Sequence, residues 1–224
     1  MATIKLGGVT LRPDLSGALI WDDEKTVVVA DLHFEKAASF ARRGQPLPPY
    51  DTAATLRRLD DLFARLAPRR VICLGDSFHD GIAAAHMPET YRTHLQGLMS
   101  GRDWIWVTGN HDREIPACLG GTRTEAAAVG PITFRHEALS APEGPEVSGH
   151  FHPKVTLQAR GRTVTRPCFI YDERRVILPA FGAYTGGLNV SDTAIAAQFG
   201  ATFRVAVLGR HKLHWFPSAA ILCG

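Results

Sequence analysis

Three apolar segments of this chain run, without a spacer, into side chains of the kind that bind metals. The segments are VVVADLHF, VICLGDSFHD and WIWVTGNHD, and the polar residues that follow them are Asp31, His33, Asp76, Asn110 and His111. Continuous apolar runs rich in β-branched residues are typical of strands that are buried on both faces. Since sites in open α/β sheets form where the carboxyl ends of several strands meet, we expect these side chains to lie close together.

Helical patterns separate these strands in the first half of the chain. FEKAASFARRG has helical spacing and stops at Gly44, and Asp51 or Thr52 can cap a helix that runs to about Leu66. The segment GIAAAHMPETYRTHLQGLMS is mostly helical, with a break near Pro88. The first half therefore alternates strand and helix.

The second half is mainly strand-like, with Gly, Pro and Asp-Glu turns between segments such as ITFRH, EVSGHFH and FRVAVLG. At the N-terminus, IKLGGVTL predicts a hairpin around Gly7 and Gly8. A chain of 224 residues suits one large domain or two small ones, and no segment is long enough to be a linker. We therefore expect a single layered α/β domain over residues 1–224, with helices outside buried sheets.

Three further histidines follow in the second half: His136 in FRHEA, and His150 and His152 in SGHFHP. Along an extended segment, alternation puts His150 and His152 on one face, as joint metal binding requires. Each motif alone is common in proteins. The ordered series DxH, GD, GNHD, H and GHxH is much more specific.

In this order, the motifs DLH, GD, GNHD, H and GHFH resemble those of the calcineurin-like metallophosphoesterase superfamily. The resemblance implies a four-layer α/β sandwich, in which two mixed β-sheets are flanked by helices, and a dinuclear metal site. Asp76 would bridge the two metals. The other ligands would be Asp31, His33 and His152 for one metal, and Asn110, His136 and His150 for the other.

The same resemblance implies a hydrolytic mechanism in which a metal-bridging hydroxide attacks phosphorus. Two divalent cations a few Å apart clamp a phosphate and lower the pKa of a bound water. Imidazole, carboxylate and amide ligands favour Mn, Fe, Zn or Co over Mg or Ca, and we expect manganese first. His111 would be the general acid that protonates the leaving oxygen. Asp112 would either orient His111 or cap the next turn.

Other residues near these motifs are candidates for contacts with substrate or with the ligands. His79 and Asp80 closely follow Asp76, and groups that hydrogen-bond to metal-bound imidazoles often orient them. Arg42 and Arg43 follow the DLH turn, where they could meet backbone phosphates, or they could belong to an ordinary Pro-rich surface loop. Tyr50 in the same loop could stack on a base.

Longer stretches narrow the resemblance to bacterial ligase-associated DNA-damage-response metallophosphoesterases. They are DLHFEKAASFARRGQPLPPYDT, ICLGDSFHDG, FRHEAL, SGHFHP and LPAFGAYTGGLNV. The likeness implies a DNA-repair nuclease or phosphodiesterase that works beside a DNA ligase and a helicase. Two alternatives stay open: a phosphodiesterase or phosphatase of small nucleotides, and a non-catalytic interaction scaffold. In LPAFGAYTGGLNV, Gly186-Gly187 could let backbone approach a phosphate or simply form a tight turn.

Composition adds weaker constraints. The formal charge is +3, and 20 of the 25 basic residues are Arg, which suits phosphate contacts but does not establish nucleic-acid binding. Four scattered cysteines without a CxxC pair make a disulfide framework or zinc ribbon unlikely, and we expect a reducing cytoplasm. We expect no membrane span and no signal peptide. The remaining histidines are expected at the surface: His86, His94, His211 and His214.

Overall fold

A computed structural model describes residues 2–159, 161–200 and 202–222, and within these ranges the strands form two mixed β-sheets. The first sheet holds, in spatial order, β1 (Ile4–Leu6), β2 (Val9–Pro13), β3 (Leu19–Trp21), β4 (Thr26–Val29), β5 (Arg70–Leu74), β6 (Asp103–Val107) and β7 (Thr122–Thr124). Strands β1 to β4 pair antiparallel, and β4 to β7 pair parallel.

The second sheet is built from the second half of the chain. Its strands are β8 (Ala126–Val129), β9 (Ile132–Arg135), β10 (Glu146–Ser148), β11 (Lys154–Ala159), β12 (Arg162–Tyr171), β13 (Arg175–Ile177), β14 (Arg204–Leu208) and β15 (Leu213–Pro217). The spatial order is β15-β14-β12-β13-β10-β9-β8, and β11 pairs with β12. The neighbours β9, β10 and β13 run parallel, whereas the other pairs are antiparallel.

Six helices are described: α1 (Lys36–Arg42), α2 (Asp51–Leu66), α3 (Ala83–His86), α4 (Glu89–Met99), α5 (Thr193–Ala196) and α6 (Ala219–Leu222). Helices α2, α3 and α4 cover the outer face of the first sheet, α1 packs against α2 and α3, and α5 packs against the outer face of the second sheet. The expected α/β sandwich of two mixed sheets flanked by helices is confirmed.

The buried strand β4 explains why its sequence is apolar at every position. Val27 and Val29 face the helices and pack with residues such as Leu56, whereas Val28 faces the second sheet and packs in a core with Phe134. A strand that is buried on both faces cannot alternate polar and apolar side chains. These two cores fix the strand, and with it the polar loop that follows.

Several local predictions are confirmed. Leu6 pairs with Val9 across the Gly7-Gly8 turn, and the helical segment breaks between His86 and Glu89. No helix within the described ranges is long and apolar enough to cross a membrane. Cys73, Cys118 and Cys168 are free thiols, and Cys223 lies outside the described residues.

The predicted cap of α2 is wrong in an informative way. Helix α2 starts at Asp51 without a side-chain cap of its own. The Asp51 carboxylate instead accepts from the Ala37 N–H at 3.0 Å, and the Thr52 hydroxyl accepts from the Glu35 N–H at 2.8 Å. Both side chains satisfy donors at the start of α1, since those amides would otherwise be buried without a partner. That arrangement ties the chain after the DLH motif to α2.

The single-domain expectation for residues 1–224 stays a prediction.

Candidate metal centre

The carboxyl ends of two triplets of parallel strands meet at one place: β4, β5 and β6 in the first sheet, and β9, β10 and β13 in the second. In the first sheet, the His33 N–H donates to the Asp76 carbonyl at 2.9 Å and joins the loops after β4 and β5. The His111 N–H donates to the Asp76 carboxylate at 2.9 Å and joins the loops after β5 and β6. From the second sheet, the His150 N–H donates to the Asp31 carboxylate at 3.0 Å, and the Gly149 N–H donates to the His136 carbonyl. The predicted ligand positions, which are distant in sequence, are therefore adjacent in space.

A first cluster consists of Asp31, His33 and His152, whose potential ligand atoms all lie within 4.8 Å of one another. The Nε2 atoms of His33 and His152 are 3.4 Å apart, and His152 Nε2 lies 3.4 Å from Asp31 Oδ1. Asp31 and His33 are buried, whereas His152 is partly exposed. Three donors from two separate segments of the chain, Asp31 to His33 and the loop with His152, thus face one small volume.

A second cluster consists of Asp76, His136 and His150, and Asn110 joins it. Asn110 Oδ1 lies 2.8 Å from His136 Nε2 and 3.1 Å from His150 Nδ1, and these two ring nitrogens are 3.0 Å apart. His136 Nε2 lies 3.5 Å from Asp76 Oδ1. The two clusters adjoin, because His136 Nδ1 is only 3.8 Å from Asp31 Oδ1.

The prediction that His150 and His152 lie on one face of an extended segment is wrong, although both residues lie at the centre. Strand β10 ends at Ser148, and the two histidines follow in a loop with φ of 70° and 48° rather than in an extended segment. Each therefore points to a different cluster: His150 to Asp76, and His152 to Asp31.

Left-handed backbone is concentrated at this centre. Asp31, His33, Asp76, His150 and His152 have φ between 46° and 70°. Non-glycine residues adopt this region rarely, at a cost of about 1–3 kcal/mol each, and they keep it only where the surroundings enforce it. The concentration at ligand-type residues indicates that their directions are fixed by the fold at the expense of local strain.

The donor set fits divalent metal ions. His136 Nδ1–H donates to the Leu74 carbonyl at 2.9 Å, which leaves the Nε2 lone pair facing the cluster, as in metal-bound imidazoles. Burial, and after it the nearby imidazoles and Lys36, lowers the pKa of His33 to about 2, so its ring is neutral at ordinary pH. The ring nitrogens of His33 and His152 are 3.4 Å apart and those of His136 and His150 are 3.0 Å apart, and imidazole nitrogens grouped in this way are suitable ligands for a divalent transition-metal ion.

His111 lies at the edge of this centre and, like Asn110, is exposed. Its Nδ1–H donates to the His79 carbonyl at 2.8 Å, and its Nε2 lies 3.9 Å from the Asp76 carboxylate. The ring stacks on His79 with 5.3 Å between centroids, and the side chain is 40% exposed. The free nitrogen thus faces the open side of the cluster.

Asp112 does not contact the His111 ring within the described residues; it accepts backbone N–H groups. Its two oxygens accept from the amides of Gly109, Asp76, Ser77 and Phe78 at 2.6–3.1 Å. Burial raises the pKa of Asp112 to about 6, against the effect of these donors. Gly109 is required here, because a Cβ at that position would overlap the Asp76 carboxylate. The carboxylate therefore joins the GD and GNHD loops.

The predicted neighbours of the site divide into two groups. His79 is buried, its Nδ1 lies 3.4 Å from His33 Nδ1, and burial followed by nearby charges lowers its pKa to about 4. Asp80 instead accepts from Ser39 and forms a 2.8 Å ion pair with Arg42, while Arg43 is exposed. Only His79 belongs to the imidazole cluster; Asp80 and Arg42 hold α1 in place.

Lys36 was missed from sequence, whereas the loop of residues 181–188 was offered there either as a glycine-rich loop at the mouth of the site or as a tight turn. Lys36 is half-buried close to His33 and His79, with its ammonium 5.8 Å from the centre of the Phe40 ring. The loop of residues 181–188 lies against the Asp31 backbone. A lysine three positions after the DLH histidine was a usable signal, since α1 starts there. His86, His94, His211 and His214 are exposed, as expected.

Comparison with known proteins agrees with this geometry. The family model described as "Calcineurin-like phosphoesterase" matches residues 24–164, which is more than half of the chain. The chain belongs to the calcineurin-like phosphoesterase family. Members of this family use a dinuclear metal centre, and the two clusters described above are groups that could hold one.

Among solved structures, this phosphoesterase is similar to the nuclease MPE of Pseudomonas putida, with 30% identity and a TM-score of 0.74 over 95% of this chain and 99% of that one. That similarity is consistent with the predicted DNA-repair-associated subfamily.

Two other structures are more distant. The Vps29 double mutant of Entamoeba histolytica has 14% identity and a TM-score of 0.38, over 86% of this chain and 97% of that one. A predicted phosphoesterase of Streptococcus pneumoniae has 13% identity and a TM-score of 0.32, over 86% of this chain and 96% of that one. These two are too distant to bear on function. No curated protein matches the chain significantly.

Proposed function

We propose that this phosphoesterase is a dinuclear-metal nuclease that hydrolyses phosphodiester bonds of DNA and takes part in DNA repair. The observation that carries the proposal is the pair of adjoining ligand clusters, with Asn110 and His111 supplied by one turn beside Asp76. The similarity to a Pseudomonas putida nuclease supports the choice of nucleic acid as substrate. The phosphoesterase chemistry itself follows from the family.

The proposed ligands divide as the resemblance implied. One metal would be held by Asp31, His33 and His152, and the other by Asn110, His136 and His150, with Asp76 between them. When bound, two divalent cations would clamp the scissile phosphate and supply an activated water. Manganese is our first choice, and iron, zinc or cobalt fit the same donors.

His111 is the proposed general acid. Because its Nδ1–H is engaged by the His79 carbonyl, only Nε2 is free to carry a transferable proton. The ring must therefore be an imidazolium when substrate binds, and it would give the Nε2 proton to the leaving oxygen. Its partial exposure allows reprotonation from solvent after each turnover.

Two neighbours would keep these groups oriented. His79 would fix the His33 ring through its Nδ1, and it would stack against His111, which limits rotation of the acid. Asp112 would hold the GD and GNHD loops in register through their backbone amides. Arg43 is exposed next to α1 and would contact backbone phosphates, while Arg42 is already paired with Asp80.

The cellular setting follows from the subfamily resemblance. We propose that the chain works with a DNA ligase and a helicase, and that it does so in the cytoplasm. Free Cys73, Cys118 and Cys168 are compatible with a reducing environment.

A substrate panel tests the proposal. The purified chain, loaded with manganese, is given a labelled single-stranded oligonucleotide, bis-p-nitrophenyl phosphate, and nucleotide monoesters and cyclic nucleotides. We expect cleavage of the oligonucleotide and of the diester. Turnover of nucleotides with intact DNA would favour the small-nucleotide alternative, and no turnover of any substrate with both metals bound would favour the scaffold.

A further inference from the structure

The loop of residues 181–188, FGAYTGGL, borders the first metal cluster. The Gly182 N–H donates to the Asp31 carbonyl at 3.1 Å, and the Leu188 N–H donates to the Phe151 carbonyl at 3.2 Å. A Cβ at Gly187 would overlap the His152 carbonyl, so the loop backbone lies directly on this ligand-type residue. Both ends of the loop are thus attached to segments that carry the site.

The loop is also fixed to helix α2. The Ala183 N–H donates to the Thr55 hydroxyl at 3.1 Å. Arg58 donates to the Phe181 carbonyl, and its guanidinium lies 4.5 Å from the centre of the Phe181 ring. A loop held at both ends and in the middle presents its exposed side chains at a defined position.

Tyr184 is the exposed aromatic residue of this loop. It is 44% exposed, and its φ of 58° lies in the left-handed region, where glycine or asparagine would cost less. The chain therefore keeps a large ring at a strained position where the ring does not complete the core. Strain that the surroundings enforce next to an active site is a reason to look for a role of the side chain.

A positive charge lies at the same cluster. The Lys36 ammonium is near His33 and forms no ion pair within 4.0 Å among the described residues. Burial lowers the pKa of Lys36, and the nearby Asp51 carboxylate partly offsets this effect. Lys36 is near His33, and the loop donates a backbone hydrogen bond to Asp31, so both border the Asp31–His33–His152 cluster. Aromatic faces combined with unpaired cations are the features by which proteins bind single-stranded nucleic acid without sequence preference.

We propose that Tyr184 is a base-stacking residue that binds an unpaired nucleobase next to the scissile phosphate. This inference rests on the proposed nuclease function. In a duplex, each base face is covered by its neighbours, whereas an unpaired strand can turn a base onto the tyrosine ring. Lys36 would neutralise a backbone phosphate of the same strand.

The test compares an oligonucleotide that carries bases with a matched oligonucleotide that has base-free sugars around the cleavage position. For the wild-type chain with manganese, we expect kcat/KM to be about tenfold higher on the base-bearing strand, within the range that base–aromatic stacking provides. Tyr184→Phe should keep that ratio, because it keeps the ring. Tyr184→Ala should lower the ratio to near one, mainly through a higher KM.

Tyr184→Asn, which tolerates the left-handed backbone, separates loss of the ring from loss of the loop conformation, and it should behave like Tyr184→Ala. Tyr50→Ala tests the other exposed tyrosine, which could also stack on a base, whereas His211→Ala is the control at an exposed ring of the protein surface and should keep the ratio. A wild-type ratio in Tyr184→Ala, or its loss only in Tyr50→Ala, would overturn the inference while leaving the nuclease function standing. A wild-type chain that turns over small diesters but cleaves no oligonucleotide would overturn both.

Discussion

The two parallel strand triplets build the same centre in different ways. In the first sheet, β4, β5 and β6 are joined through helices, and each strand runs directly into its ligand-type residues. In the second sheet, β9, β10 and β13 are shorter on average, and the connection from β10 to β13 passes through the long β11–β12 hairpin instead of a helix. What the triplets share is the convergence of strand ends, which is enough to form a site.

The triplets also differ in how their opposite ends are joined. At the start of β5 and β6, Arg70 and Asp103 form a 2.7 Å ion pair in which both side chains are partly exposed. In the second sheet, the buried Glu146 of β10 lies 3.2 Å from Arg135 of β9 and 3.4 Å from Arg175 of β13. The second sheet thus places a buried carboxylate between two arginines, whereas the first sheet has an exposed ion pair; the strands of both triplets also pack in a shared apolar core.

The largest expected effect comes from Asp76, the residue proposed to bridge the two metals. Asp76→Asn removes one negative charge between the proposed metals, and we expect activity to fall by about 10⁴-fold, or roughly 5 kcal/mol of transition-state stabilisation. Elemental analysis should find that both metals are lost together. The exposed Asp60→Asn is the control. Retention of two metals by Asp76→Asn would mean that the two triplets supply independent sites.

His111→Ala separates chemistry from binding. Removal of a general acid should lower kcat on DNA by about 10³-fold, because a DNA leaving oxygen needs a proton. The loss should be much smaller on bis-p-nitrophenyl phosphate, whose leaving group is acidic, and the metal content should not change. The surface variant His94→Ala provides the comparison. Equal losses on both substrates would exclude His111 as the acid.

Glu146→Gln tests the buried charges of the second sheet. We expect the free energy of unfolding to fall by about 3 kcal/mol, because two guanidinium groups lose their carboxylate in a buried setting. Urea denaturation measures this change. Affinity for the metal held by His136 and His150 should weaken as well, since β9 and β10 carry those histidines. Stability within error of wild type would show that packing alone holds this triplet.

Asp103→Asn is the matched change in the first sheet and should have the smallest effect. The pair with Arg70 is exposed, so its loss should cost less than about 1 kcal/mol in the same denaturation experiment. Metal content and activity should not change. A cost as large as that of Glu146→Gln would remove the distinction between the two triplets.

Much of this centre could be predicted from sequence because ligand chemistry is local. Asp31, Asp76 and Asn110 follow recognisable buried strands, so their convergence followed from strand order. The backbone of His150 and His152 could not be read in this way, because left-handed residues in a loop carry no periodic signal. The hydrogen bond from the Ala37 N–H at the start of α1 to the Asp51 carboxylate is a tertiary contact, and so is the bond from the 181–188 loop to the Asp31 carbonyl. Neither contact has a local sequence signal.

The most direct test of this account is a crystal of the manganese-loaded chain, measured at the manganese absorption edge. We predict two anomalous peaks roughly 3.5–4 Å apart. One should lie among Asp31, His33 and His152, the other among Asn110, His136 and His150, with the Asp76 carboxylate reaching both. A single peak, or a second peak not contacted by His136, would contradict the paired centre on which the proposed nuclease depends.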